Sequence, residues 1–445
     1  MSETQGFVTV FTKLRRIAML ARDNPQMTFT SLNHCLDLEL LREAFHKTRK
    51  DGAPGVDGQT WHDYEANLEA NLQSLLERAK SGSYHAPPVR RVYIPKGGSP
   101  TEKRPIGIPT IEDKVLQRAV LIVLETIYER DFYDCSFGFR RGRSAHEALD
   151  TFWQQAMNAR VQWVLEVDIR KCFDTLDHGH LRELLRRRVR DGVLLRLIGK
   201  WLKAGVMEEG TLSYPDAGSP QGGVASPLLA NVYLHYVLDV WFHEVVLPRL
   251  KGRAFLIRYA DDFVIAFTHE QDARRVQAVI PQRFSKYGLT VHPDKTRLIR
   301  FGRPRRTDVP RAERPGTFDF LGFTHYWGQS RQGAWVIKRQ TAGSRFRRAI
   351  QAISLWCQRN RHQPVSEQHT VLCQKLRGHC GYYGITGNSS RLNSFRTAAT
   401  RVWYQWLSRR KRKPRPTWVW FTRLLERFPL PPAIALHSVC RVAKA

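Results

Sequence analysis

An α+β fold is predicted for this 445-residue chain by three features of its sequence. Short β-type runs alternate with helical patterns between about residues 91 and 328. Apolar residues recur every three or four positions on either side of that stretch. A Gly- and Pro-rich turn over residues 52–58 interrupts the first helical region. The length is too great for one hydrophobic core, so the chain should divide into two to four domains.

The elements follow in order. Residues 1 to about 90 read as helical, with Leu68, Leu72, Leu75 and Leu76 at helical spacing, interrupted by the turn-rich Gly52-Ala53-Pro54-Gly55-Val56-Asp57-Gly58. Every candidate catalytic residue falls in the mixed stretch that follows. From Gln340 to Arg361 the apolar Phe346, Ile350, Ile353 and Trp356 recur with helical period among Arg345, Arg347, Arg348, Arg359 and Arg361, which predicts an amphipathic basic helix. The last stretch, 401–445, combines Arg409-Arg410-Lys411-Arg412-Lys413 with Trp403, Trp406, Trp418 and Trp420. Basic residues interleaved with aromatics suit a nucleic-acid surface, and a solvated face beside a small aromatic core is the competing reading. No internal repeat or long low-complexity stretch is visible.

Composition narrows the function. With 42% hydrophobic and 25% charged residues the chain is globular and not disordered. Its 71 Lys and Arg against 41 Asp and Glu leave a formal charge of +30, so a polyanion is the natural partner. Seven cysteines (Cys35, Cys135, Cys172, Cys357, Cys373, Cys380, Cys440) stand in no ligand-like spacing and read as buried, reduced thiols. Neither a signal pattern nor an apolar run of membrane-spanning length is present, so no membrane partner and a cytoplasmic location are expected.

Chemistry concentrates at two acidic strand ends. Phe255-Leu256-Ile257-Arg258 and Phe263-Val264-Ile265-Ala266-Phe267 flank the turn Tyr259-Ala260-Asp261-Asp262, a predicted hairpin. Adjacent carboxylates repel unless exposed or neutralised by a cation, and a bare Asp-Asp pair is often an ordinary turn. The run Val161 to Val167 changes the odds, because it delivers Asp168 at a second strand end. Nucleotidyl transfer uses two Mg²⁺ ions about 3.5–4 Å apart, one at the attacking 3′-hydroxyl and one at the leaving pyrophosphate. Asp168 and Asp261 could bridge both, with Asp262 assisting; Mg²⁺ suits few carboxylates plus substrate phosphate.

Nearly the whole chain resembles the reverse transcriptases encoded in bacterial group II introns. Arg90 to Lys96, Arg104-Pro105-Ile106-Gly107-Ile108-Pro109, and Ser136-Phe137-Gly138-Phe139-Arg140 through His146 look like that family's finger motifs in order. Asp168 to Asp174, Gly218 to Gly223 with Ser226 to Asn231, Tyr259 to Asp262, Pro293-Asp294-Lys295-Thr296 and Phe318 to Phe323 resemble its palm motifs. Leu376-Arg377-Gly378-His379 with Tyr382-Tyr383-Gly384 resembles its maturase thumb.

The resemblance implies a right-hand polymerase: an N-terminal extension and start of the fingers over 1–90, and fingers and palm with an antiparallel sheet over 91–328. An α-helical thumb or maturase domain over 329–400 and a basic DNA-binding segment over 401–445 complete it. It implies RNA-directed DNA polymerisation with two Mg²⁺ ions held by Asp168, Asp261, Asp262 and the Ile169 backbone. Phe173 matches the family's steric gate against a ribose 2′-hydroxyl, with a core Phe as the alternative. Lys96 and Arg104 match residues that grip the triphosphate, though Lys103 rivals Arg104 because the intervening loop is long. Gln221, in a Pro-Gln-Gly-Gly turn, would touch the incoming nucleotide or simply shape the turn. Lys295 would protonate the leaving pyrophosphate or merely contact phosphate. Arg345, Arg347, Arg348, Arg377 and His379 are the candidate RNA contacts.

The implied partners are group II intron RNA, an RNA template with a DNA primer, target DNA and dNTPs, with a homodimer as a further candidate assembly. An RNA-dependent RNA polymerase, a splicing cofactor without polymerase activity, and a reverse transcriptase of phage-defence or CRISPR type are the competing readings. Phe173 argues against the first, the intact Asp168, Asp261 and Asp262 against the second, and the thumb motif against the third. After Pro431 only His437 and Cys440 could serve a metal, so no HNH-type endonuclease domain is expected within the sequence.

Overall fold

The computed structural model describes residues 2–95, 103–208, 210–214, 222–304, 314–410 and 416–437. The chain divides into two compact units, the first built from 1–94, 102–148 and 165–298 and the second from 95–101, 149–164 and 299–445. Lys96 and Gln221, and most of the basic run after Arg410, lie outside the described residues.

The chain starts with α1 (Ser2–Asp23), α2 (Leu38–His46), α3 (Trp61–Glu65) and α4 (Leu68–Ser81). Their ends are set locally: Asp37 accepts from the Leu40 amide at α2, Thr60 and Asp63 form a capping box at α3, and Gly82 closes α4 with φ +91°. Strands β1 (Val89–Pro95) and β2 (Lys103–Ile108) precede α5 (Ile111–Asp131). Val115, Leu116, Val120, Val123 and Leu124 of α5 are fully buried, so this helix is the axis on which α1 and α2 pack.

Helix α6 (Ala145–Ala159) and β3 (Trp163–Val167) lead to α7 (His178–Arg186), α8 (Gly192–Leu202), β4 (Val206–Glu208) and β5 (Thr211–Ser213). Helix α9 (Ser226–Leu234) runs on as a π-helix over His235–Val246, a rare form concentrated at functional sites. Then come β6 (Ala254–Tyr259), β7 (Asp262–Phe267), α10 (Glu270–Ser285) and β8 (Arg297–Arg300). Two four-stranded sheets result, ordered β2-β1-β4-β5 and β6-β7-β3-β8. Pairing is antiparallel in β6–β7 and β4–β5 but parallel in β1–β4, where Val89 faces Val206.

The second unit holds a three-stranded sheet of β9 (Phe318–Phe320), β10 (Phe323–Gln329) and β11 (Trp335–Thr341), in the order β11-β10-β9. Trp153 and Asp150 of α6 bind this sheet at the Ile337 carbonyl and Arg339. Helices α11 (Gly343–Arg359), α12 (Val365–Tyr383), α13 (Ser389–Leu407) and α14 (Trp418–Arg427) follow. They share one core that includes Ile353, Leu376, Phe395, Trp403, Phe421 and Leu430.

Two expectations change here. The division expected at residue 400 falls inside α13, and Phe421 and Leu430 pack in the same core as α11 and α12, so the described residues on either side of 400 share one core. The Trp residues of that stretch also divide: Trp403 is fully buried with its Nε1 donating to Gln368, whereas Trp418 and Trp420 are exposed. Trp406 is half-buried, its Nε1 donating to Ser354 Oγ, so Trp418 and Trp420 are the exposed pair. Six described cysteines are free thiols, five of them buried. No described helix is long and apolar enough to cross a membrane.

Candidate active site

The turn between β6 and β7 contains only Ala260 and Asp261, since Tyr259 pairs directly with Asp262. Two-residue hairpins of this kind favour left-handed backbone, and Ala260 adopts φ +57°. The conformation is held from below. Gly138 lies so close that a Cβ there would stand 2.3 Å from the Ala260 nitrogen, and the Arg258 guanidinium donates to the Ala260 carbonyl at 3.1 Å.

Arg258 is the centre of a buried network. It grips both carboxylate oxygens of Asp239 at 2.8 and 2.5 Å and donates to Asn231 Oδ1 at 2.9 Å. Asn231 in turn donates to the Gly138 carbonyl at 2.8 Å. The backbone of Arg258 pairs with Cys135 and Phe137. Burial alone would raise the Asp239 carboxyl, but the Arg258 guanidinium and the His235 side chain outweigh it and hold it below the ordinary value. The sequence named Asn231 and Gly138 within motifs and Arg258 within a strand, but gave none of them a role, and Asp239 carried no signal.

Asp168 follows the end of β3. Its carbonyl accepts from the His292 amide and the Arg170 amide donates to the Thr290 carbonyl, both at 2.8 Å. Ile169 and Val291 are therefore a non-hydrogen-bonded pair, so the Ile169 carbonyl points away from the 290–292 segment. Lys295 Nζ lies 3.2 Å from Asp168 Oδ2. Asp261 is half-buried, and its carboxyl is raised above the ordinary range by burial first and by the Asp168 charge in addition, while Arg104 and Arg258 act in the opposite sense.

Arg104 thus lies within electrostatic reach of Asp261, and strand alternation puts Lys103 on the other face of β2. Phe173 sits in the 3₁₀ turn Cys172–Asp174 and is half-buried, between the fully buried Cys172 and Leu176. Gly222 (φ +118°) packs on β2, where a Cβ would stand 2.5 Å from the Gly107 carbonyl oxygen.

Among the described residues no cluster of three or more His, Cys, Asp or Glu forms a ready-made metal cage. The donor set is two repelling carboxylates at strand ends and an outward carbonyl. That suits a hard cation which completes its shell with water and substrate oxygen.

The expected RNA contacts lie in the second unit. Arg345, Arg347 and Arg377 are exposed and Arg348 is half-buried, the first three and Arg348 lying on α11 and α12. His379 is different: its ring stacks on Phe395 with centroids 3.6 Å apart, and burial lowers it to about 4. It is a neutral core residue of α12.

Comparison with known proteins shows the family. The profile of the family described as reverse transcriptase (RNA-dependent DNA polymerase) matches residues 94–325. The chain belongs to the reverse transcriptase family, in its group II intron-encoded branch. The group II intron-encoded protein LtrA of Lactococcus lactis subsp. cremoris is 30% identical over 452 residues, spanning 86% of this chain and 75% of LtrA. Protein YkfC of Escherichia coli K12 is 36% identical over 284 residues, spanning 56% of this chain and 74% of YkfC. The nuclear intron maturase 4 of Arabidopsis thaliana is 29% identical over 250 residues, 53% of this chain and 30% of that protein. Reverse transcriptases use divalent cations, typically Mg²⁺.

Proposed function

We propose that the chain copies RNA into DNA at Asp168, Asp261 and Asp262, with two Mg²⁺ ions, and that it also grips group II intron RNA to assist splicing and mobility. The observation that carries the first part is the sheet order β6-β7-β3, which makes the strand that delivers Asp168 the neighbour of the strand that opens after the half-buried Asp261, with the Asp168 charge in electrostatic reach of it. The layout would be that of a right hand, with fingers and palm in the first unit and a helical thumb in the second.

When bound, the ions supply activation of the primer 3′-hydroxyl and neutralisation of the leaving pyrophosphate. The protein's part is positioning. Asp168, Asp261 and the Ile169 carbonyl would hold the cations, with Asp262 assisting. Arg104, with Lys96, would bind the triphosphate of the incoming dNTP. Lys295 Nζ lies 3.2 Å from Asp168 Oδ2 and would contact or protonate the leaving phosphate. Phe173, three residues beyond the Arg170 that pairs with Thr290, would crowd the sugar 2′ position, and Gln221 would meet the nascent base pair. Target DNA would meet the exposed Trp418 and Trp420 and the basic run beside them.

The test is primer extension on an RNA template with dNTPs and Mg²⁺. Asp168→Ala and Asp261→Ala should each lower kcat by about a thousandfold or more. Extension by both variants at the wild-type rate would remove the site.

A further inference from the structure

We infer that a basic cleft between α7 and α8 is a binding site for the phosphodiester backbone of an RNA strand other than the template–primer duplex. The cleft encloses about 880 Å³ and is lined by Arg182, Arg186, Arg190, Arg196, Lys200 and Lys203.

Helical spacing builds it. Arg182 and Arg186 stand one turn apart on α7, and Arg190 extends the row, its Nε donating to the Arg186 carbonyl. Arg196, Lys200 and Lys203 form a second row at i, i+4 and i+7 along α8 and its end. Lys200 is pinned by the carbonyls of Gly82 and Tyr84, so its charge is fixed at the wall.

Among the described residues no carboxylate lines the cleft, and none of the six cations forms an ion pair with a described acidic residue. The adjacent Asp191 is turned inward, where it accepts from the Leu32, Asn33, Val193 and Leu194 amides. Arg188, beside the row, shows the usual arrangement: it is buried and paired with Asp131 at 2.8 Å. Cations repeated one turn apart repel, and six facing one cleft require a ligand with several regularly spaced negative charges. A nucleic-acid backbone meets that requirement; one small anion does not. At the rim Tyr214 is 68% exposed, a ring on which an unpaired base can stack.

Along α7 the row of cations leads away from the proposed catalytic region. The N-terminus of α7 is tied to the proposed catalytic region, with Asp177 as its cap and the His180 ring on Tyr287. Its C-terminal end meets the N-terminal segment, where Phe29 pairs with Val189. Arg186 and Arg190 lie at this far end, about 13 Å along a nine-residue helix. The inference rests on the nucleic-acid reading above but not on which residues polymerise.

The test uses the full chain carrying Arg186→Glu, Arg190→Glu and Lys203→Glu, all exposed side chains. A control of equal charge change carries Arg249→Glu, Lys251→Glu and Lys286→Glu. Binding of a fluorescein-labelled RNA hairpin with an unpaired loop, and of the same hairpin in DNA, is measured against salt, and primer extension at saturating template–primer is measured on the same preparations. The cleft variant should lose about tenfold or more in RNA-hairpin affinity and about three units of salt slope, with smaller losses on DNA. Its extension rate and the control's RNA affinity should stay near wild type. Unchanged RNA affinity, an equal loss in the control, a larger loss on DNA, or a loss confined to the KM for template–primer would each overturn the proposal. A wild-type protein that fails to extend a primer yet binds RNA through the cleft would sink the polymerase site and leave this one standing.

Discussion

The Arg258 guanidinium and the Asp239 carboxylate form a two-pronged ion pair with no solvent exposure on either side chain, directly behind the turn that presents Asp261. A buried pair of this kind is expensive to break, because removing one partner strands the other charge without water, at a cost of about 3–5 kcal/mol. The same guanidinium also fixes the left-handed Ala260 through its carbonyl. Asp239→Asn should therefore destabilise the fold, whereas Arg258→Lys keeps the charge but loses the fork. In primer extension Arg258→Lys should lower kcat at least about tenfold with little change in KM for dNTP, since the turn and not the nucleotide contacts is disturbed. A wild-type kcat in a folded Arg258→Lys protein would show that the network does not position the turn.

Phe173→Ala should admit ribonucleotides. The ring is half-buried in a turn that begins after Asp168, and its removal opens space without emptying the fully buried core beneath. The measure is the ratio of kcat/KM for dGTP over GTP, which should fall by about tenfold or more. An unchanged ratio in a folded variant would return Phe173 to a packing role.

RNA gripping and polymerisation should separate by mutation. Arg345, Arg347 and Arg377 are exposed cations of α11 and α12, while the acidic strand ends belong to the other unit. Replacing the three by Ala should weaken intron RNA binding and reduce its salt slope by about three, and splicing assistance should fall with it. Asp261→Ala should leave both intact. Loss of RNA binding in Asp261→Ala would mean one shared site.

Stability should decline in acid because of His325. Its ring stacks on Phe318 with centroids 4.7 Å apart, it is fully buried, and neither ring nitrogen has a partner among the described residues. Burial first, and the nearby Arg339 second, lower it to about 3. A histidine depressed in the folded state is neutral there while the unfolded chain takes up a proton. Its penalty is therefore absent above about pH 6.5 and grows by about 1.4 kcal/mol per unit as pH falls from there towards 3. His325→Phe should raise Tm at neutral pH and flatten the decline between about pH 6.5 and 5. Thermal melts of both proteins across that range decide it, and parallel curves would exclude His325 as the cause.

By itself the sequence determined what depends on neighbours along the chain. The hairpin Phe255–Phe267 was legible because two apolar runs flank a short acidic turn, and α11 was legible because its apolar residues keep a helical period. The basic excess pointed to a polyanion without any fold. Ordered motifs identified the family, since each is a local string.

What only the tertiary structure decided depends on residues that meet from distant parts of the chain. Asp239 carries no local signal, yet it neutralises Arg258 nineteen positions later because a π-helix brings it behind β6. Gly138 looks like any turn glycine until Ala260 is seen against it. His379 stands in a motif of exposed character but faces Phe395 on α13, so packing removed it from the surface. The break expected at residue 400 failed for the same reason: composition shifts there, while Trp403, Phe421 and Leu430 bury against α11 and α12. Burial and charge pairing are properties of the assembled core, and no window of sequence contains both partners.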